Sequence, residues 1–205
     1  ALHPDLLAKM DPTILRSIHL LESKAEADYF RNHSGDMWDF INQRSPTHKK
    51  PTSNSPIEIL KQLHLLNDKL TAIHMNYANE NELKSLSNAG ANIVHCPLSH
   101  DYFNHEDFPL EQVLKYQINL ALGTDSLSSA SSISMLEVMR VMRENYAFQS
   151  QEQIFSMATL GGARALGLQQ QIGLIASNYF ADIIGVPLAN SLDPLGSLFA
   201  AREVD

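Results

Sequence analysis

The stretch "LALGTDSLSSAS", residues 120–131, carries an apolar run into Gly123 and Thr124, shows one carboxylate at Asp125, and dissolves into serines. Its reading decides the fold. Asp and Ser are good helix N-caps, so the run could simply precede a helix. An acidic side chain at the carboxyl end of a parallel strand is instead placed to hold a metal or move a proton. The sequence on either side bears on the choice.

Working outward, apolar strand-like runs alternate with helical patterns. "ILRSIHLLE" (14–22), "LTAIHMN" (70–76), "ANIVHC" (91–96) and "INLALGTD" (118–125) read as buried strands. "KAEADYF" and "DMWDFINQR", separated at Gly35, read as helices after the first strand. The segment 45–56, "SPTHKKPTSNSP", has three prolines and no apolar periodicity, which predicts an excursion over the surface. Ser55 then caps "PIEILKQLHLL", with Pro56 at its first position. "ENELKSLSNAG" is a helix stopped by Gly90, and a loop rich in His, Asp, Phe and Pro runs from the third strand to 109. "LEQVLKYQ", "ISMLEVMRVMRENYAF" and "QEQIFSMATLGGARALGL" read as further helices, the last interrupted by Gly161 and Gly162. "FADIIGVPL" (180–188) reads as an isolated strand. Four strand–helix units in succession indicate an α/β chain with a parallel sheet. They amount to half of an eightfold barrel or most of a small open sheet, and length does not choose.

Composition narrows the function classes. The chain has 205 residues, 44% hydrophobic and 19% charged, ordinary for a globular protein with a real core. Its net charge of −8, with no basic run beyond "HKK" at 48–50, argues against a nucleic-acid partner. No apolar stretch approaches a membrane span, so no membrane partner is expected. The single cysteine, Cys96, excludes an internal disulfide and fits a reducing, cytoplasmic setting. The start at Ala1 is neither a signal peptide nor an initiator methionine.

Each strand carries a polar residue near its carboxyl end: His19, His74, His95 followed by Cys96, and Asp125. A lone His in an apolar strand is often a hydrogen-bonded structural residue, and a lone Asp a turn former. Together at one end of a parallel sheet, His19, His74 and Asp125 make a candidate metal site. Glu22, three residues beyond His19, is either a solvated residue opening the next helix or a carboxylate that carries protons at that site. His100 and His105 flank "DYFNHED", which reads equally as a substrate loop or an ordinary surface loop. His48 and His64 read as surface residues. Trp38, Phe40 and the series Met135, Met139, Met142 read as core, and Glu137 with Arg140 as a helix-surface ion pair.

With these residues in hand, the chain resembles a family. "SIHLLESKAE" is similar to the His-x-x-Glu segment on strand five of the amidohydrolase superfamily. "AIHMNYANENELKSLSNAGANIVHCPLSH" is similar to the strand-six His and strand-seven motif of its chlorohydrolase/aromatic deaminase branch. That branch includes methylthioadenosine/S-adenosylhomocysteine, aminofutalosine and guanine deaminases. "LALGTDSLSSASSISMLEVMR" resembles its strand-eight signature, and "ATLGGARALGLQQQIGLIASNYFADIIGV" its closing segment.

The resemblance implies the C-terminal half of a (β/α)8 barrel, strands five to eight, over residues 1–178. Residues 179–205 would return to a small β-sandwich. It implies a divalent metal, zinc first and iron second. His19 and Asp125 would be ligands, and Asp125 also the general base toward the water that the metal activates. His74 would hydrogen-bond that water, and Glu22 would shuttle a proton to a substrate ring nitrogen. Ser99 and Thr124 would support the site, and His100, where the family motif has Asn, would touch substrate. The activity implied is hydrolytic deamination of a purine-type, adenosine-derived or related heteroaromatic amine. The alternatives are hydrolytic dechlorination, opening of a cyclic amide, and a non-catalytic fragment that associates with a partner. Strands one to four and their His-x-His pair are absent from the sequence. The chain alone is therefore expected to be inactive and to need the missing N-terminal half or a second copy.

Overall fold

The computed structural model describes residues 7–45, 50–187, 190 and 192–201. In chain order it begins β1 (Arg16–Leu20), α1 (Lys24–Asn32), α2 (Asp36–Arg44), α3 (Pro56–Gln62), β2 (Leu70–His74), α4 (Glu80–Ala89) and β3 (Asn92–His95). Then follow α5 (Pro97–Tyr102), α6 (Leu110–Lys115), β4 (Asn119–Leu122), α7 (Met135–Asn145) and α8 (Gln151–Ser156). A π turn (Met157–Gly161), α9 (Gly162–Ala165) and α10 (Pro194–Ala200) close the chain. Two compact units divide it: Ala1–Ile93 with His105–Ile118, and Val94–Asn104 with Asn119–Asp205.

In the first unit β1 and β2 pair in parallel, Arg16 opposite Leu70 and Leu20 opposite His74. β2 lies between β1 and β3, and β3 runs on into the second unit, where β4 is its other neighbour. Neighbours in the sheet are thus neighbours in sequence. A doubly wound open sheet reverses its strand order at the ligand crevice. The unreversed order of these four strands is that of a singly wound sheet, consistent with part of a (β/α)8 barrel.

Local chemistry explains several helix boundaries. Ser55 Oγ accepts from Ile57 N, with Pro56 at the first helical position of α3. Asn79 and Glu82 form a reciprocal capping box at the start of α4, and Gly90 ends it in the left-handed region at φ 68°. The Glu82 carboxylate, only 3% exposed, also accepts from Ser55 Oγ at 2.8 Å and pairs with Arg31 at 2.9 Å. One satisfied buried charge therefore ties α1, α3 and α4 together behind the sheet.

Several expectations are corrected. The segment after β3 is not all loop, because Pro97 sits at the first position of a helix, where its missing N–H costs nothing. Residues 180–187 form no strand: no described strand pairs with them, and Phe180, Ile183 and Ile184 are exposed. Leu188, which ended that reading, lies outside the described residues, as does His48. Among the described residues of 179–205 the one regular element is α10. Phe40 is not core: it is 54% exposed, and α2 buries none of its residues. Trp38 is half-buried against Tyr29 and His33. Met139 and Met142 are core, Met135 is half-buried, His64 is exposed, and Glu137 pairs with Arg140.

Gly161 and Gly162 do not interrupt their helix. Both have right-handed helical angles, and the chain passes through the π turn without a break. Gly161 is there for proximity: a Cβ on it would lie 2.3 Å from the carbonyl oxygen of Leu120 in β4. Asn119 Nδ2 seals the approach by donating to the Gly161 carbonyl at 3.1 Å. Around a Cβ on Gly162 nothing lies within 4 Å. Gly161→Ala is therefore expected to lose stability at or beyond the ~1–3 kcal/mol usual for overpacking. Gly162→Ala should gain about 0.5–1 kcal/mol through helix propensity. Urea unfolding of the two variants side by side checks the contrast.

Candidate functional site

The first unit brings three of the expected site residues together. His19 stands exposed on β1, one residue before the buried Leu20. His74 is the last residue of β2 and only 2% exposed. The pleat alone would send His74 to the face of its register partner Leu20. Its φ of 71° breaks that alternation, and its ring comes within 5.3 Å of the His19 ring. Glu22 completes the group, with Oε1 3.6 Å from His74 Nε2. Leu21 and Met75 are also left-handed, at φ 49° and 56°. Such strain in non-glycine residues collects where function requires it.

Two hydrogen bonds hold Glu22 by its main chain. Its N–H donates to Glu26 Oε2 at 2.9 Å, and its carbonyl accepts from Asn76 Nδ2 at 3.0 Å. Neither Glu26 nor Asn76 was singled out in the sequence. The signal for Glu26 was present: Ser23-x-x-Glu26 is a capping pattern, and Ser23 Oγ does accept from Glu26 N. Asn76 left no local signal, because its partner lies 54 residues away.

His105 also belongs to this group. Its ring stands perpendicular to that of Tyr77 at 5.8 Å, and Tyr77 Oη accepts from Glu106 N at 3.2 Å. Burial lowers the His105 pKa below the ordinary 6.5, while the charge of Glu22 pulls it back up.

The second unit holds the remaining candidates. Asp125 follows β4 in the left-handed region at φ 57°, half-buried, with Oδ1 accepting from Ser126 N at 2.8 Å. It caps no helix, since α7 begins only at Met135 with Ser134 before it. That removes the simpler reading of "LALGTDSLSSAS". Thr124 Oγ1 donates to the Asp125 carbonyl, 3.1 Å away. Gly123 allows the close approach to β3: a Cβ there would meet Val94 Cγ1 at 2.8 Å and Cys96 Sγ at 3.1 Å. His95 is fully buried, and His100, 7% exposed, packs edge-on against it at 5.4 Å. Ser99 is buried beside them in sequence, on α5. His100 is therefore no ordinary surface-loop residue.

Imidazole and carboxylate donors suit zinc or iron better than the all-oxygen preference of calcium or magnesium. His19 on β1 and Asp125 after β4, an imidazole and a carboxylate, are thus donors of the types that fit a transition metal. Residues 14–204 match the amidohydrolase family. The chain belongs to that family. It is 34% identical over 204 residues to a 5-methylthioadenosine/S-adenosylhomocysteine deaminase of Pyrococcus abyssi, covering 93% of this chain and 43% of the relative. Among solved structures it resembles an adenosine deaminase from Xanthomonas campestris with bound zinc. There the TM-score is 0.72 at 28% identity, covering 90% of this chain and 41% of that one. The Helicobacter pylori aminofutalosine deaminase gives a TM-score of 0.75 at 26% identity, covering 92% and 49%. The chain thus spans less than half the length of each of these relatives. No helix among the described residues is long and apolar enough to cross a membrane.

The His105 geometry generates a direct test. In an NMR titration its ring should change charge below pH 6.5, because burial outweighs Glu22. Glu22→Gln removes the charge that favours the imidazolium, so His105 should then titrate lower still. An unchanged or higher midpoint in the variant would contradict the contact.

Proposed function

We propose that this chain is part of a metal-dependent hydrolase that deaminates a purine-type or related heteroaromatic amine. The strands would be five to eight of a (β/α)8 barrel, completed by a further half in the same polypeptide or by a partner chain. The observation that carries the reading is the contact of Glu22 with His74 beside His19, in a chain of the amidohydrolase family. The deaminases among its relatives support the reaction class, and the zinc bound in the Xanthomonas campestris enzyme supports the metal.

His19 and Asp125 would hold the metal, zinc in preference to iron. When bound, the metal supplies Lewis-acid activation of water. The residues then handle the protons. Water adds to the amino-bearing ring carbon as Asp125 takes its proton, and the Glu22 carboxyl donates to the adjacent ring nitrogen. Asp125 returns its proton to the departing nitrogen, which leaves as ammonia, while the added hydroxyl gives its remaining proton back to the Glu22 carboxylate and the ring carbon keeps the oxygen as a carbonyl. His74, buried and next to Glu22, hydrogen-bonds the incoming oxygen and limits competing water. His100 would contribute to substrate recognition from α5, with Ser99 and Thr124 as support.

The test needs a polypeptide carrying the whole barrel, assayed on 5′-methylthioadenosine, S-adenosylhomocysteine, adenosine and guanine. Glu22→Gln keeps the shape but carries no proton, so kcat should fall about 10²–10⁴-fold with metal content intact. Asp125→Asn should lower both kcat and metal content, because that carboxylate is ligand and base. A Glu22→Gln enzyme that loses its metal, or turns over normally, would overturn the role given to Glu22. The 205-residue chain alone, which has no His-x-His pair, should lose zinc on dialysis against a mild chelator. Stoichiometric zinc after that treatment would refute the ligand assignment.

A further inference from the structure

Glu22 lies beyond the end of β1, behind the left-handed Leu21, one residue past the last ladder bond from Tyr77 N to the Leu21 carbonyl. A proton carrier must nonetheless keep its place, since a displacement of about 1 Å can cost ~10²-fold in rate. The structure shows what restrains it. Glu26 occupies the third position of α1, from which a capping-box side chain normally reaches back to the N-cap N–H. Here it reaches one residue farther, past Ser23, and accepts from Glu22 N. Burial pushes the Glu26 carboxyl up, and the backbone N–H groups of Leu21 and Glu22 pull against it. On the other side Asn76, buried two residues after His74, donates to the Glu22 carbonyl. The segment that follows His74 thus also supplies the restraint on its carboxylate partner.

We propose that Glu26 and Asn76 are positioning residues, which lock the main chain of Glu22 from both sides and so hold its carboxylate against His74. The proposal rests on the reading of Glu22 as the proton carrier. Its rival is that Glu26 merely caps α1, which Ser23 already does through its own hydroxyl.

The experiment uses the full-length enzyme, with the fastest-reacting member of the four-substrate panel as probe. Glu26→Ala should lower kcat roughly 10–100-fold, with KM within about 3-fold and metal content unchanged. Glu26→Gln should recover most of that loss, because the amide oxygen still accepts the Glu22 N–H. Asn76→Ala should repeat the kcat effect from the other side, and it carries the test if Glu26→Ala fails to fold. Ser23→Ala should lower thermal stability yet leave kcat within about 2-fold, since the cap goes and the restraint stays. Near-normal kcat in both Glu26→Ala and Asn76→Ala, or a loss in KM alone, would overturn the proposal. So would a folded Glu26→Gln no better than Glu26→Ala. If Glu22→Gln itself turns over normally, the role of Glu22 falls and this proposal with it. If only the positioning variants are silent, the function stands without them.

Discussion

The β1–β2 ladder does not stop where the strands do, and the site of the first unit depends on that. Met75 N donates to the Leu20 carbonyl at 2.9 Å, and Tyr77 N to the Leu21 carbonyl at 3.0 Å. To keep pairing beyond the pleat, Leu21, His74 and Met75 take left-handed angles that cost non-glycine residues about 1–2 kcal/mol each. Burial compensates, for Leu21 and Met75 are fully inside the core. The consequence is chemical. The same twist that continues the ladder turns His74 toward His19 and brings Glu22 to its edge. Relaxing those three residues into ordinary extended backbone would dismantle the group without touching a functional side chain.

β4 in the second unit has as little slack. Gly123 fits between Val94 and Cys96, and Gly161 brings the π turn onto the Leu120 carbonyl. The Gly161 contact is with backbone and tolerates no side chain, the Gly123 contact is with the side chains of Val94 and Cys96, which a Cβ would displace, and together they fix the strand that leads to Asp125. π turns inside helices are frequent near functional sites, and here the reason is geometric. The extra residue in the turn lets Gly161 face β4 while Asn119 binds its carbonyl. A regular helix would place a different residue against that carbonyl.

What was legible in the sequence was local. The strands, the Ser55–Pro56 start, the capped start of α4 and the stop at Gly90 all follow from residues within one turn of each other. Pro97 misled because proline begins a helix as readily as it breaks one. "FADIIGVPL" misled because β-branched composition does not make a strand where, among the described residues, no strand pairs with it. Of the site, the residue types at the strand ends could be read, since parallel strands collect their functional groups there. The contacts could not: His19 and His74 meet through a φ value, and Asn76 meets Glu22 across 54 positions. His100 kept two readings open until its packing against His95 showed it inside.

The stability balance around Glu26 argues for function. Its pKa is raised, and burial is the largest cause, ahead of the N–H groups that favour the charged form. A carboxyl whose folded pKa lies above its unfolded value favours folding only while protonated. That contribution is present below the unfolded value and is lost as pH rises through the folded one. Above its folded pKa the buried Glu26 is therefore a net cost to folding relative to an exposed glutamate. Ser23 already supplies the helix cap, so capping does not account for keeping the charge buried. What the side chain adds is an oxygen that accepts from the main-chain N–H of Glu22 at 2.9 Å. Stability given up at one buried group is set against the precision of the group beside it, the exchange expected where a site rather than a core dictates the residue.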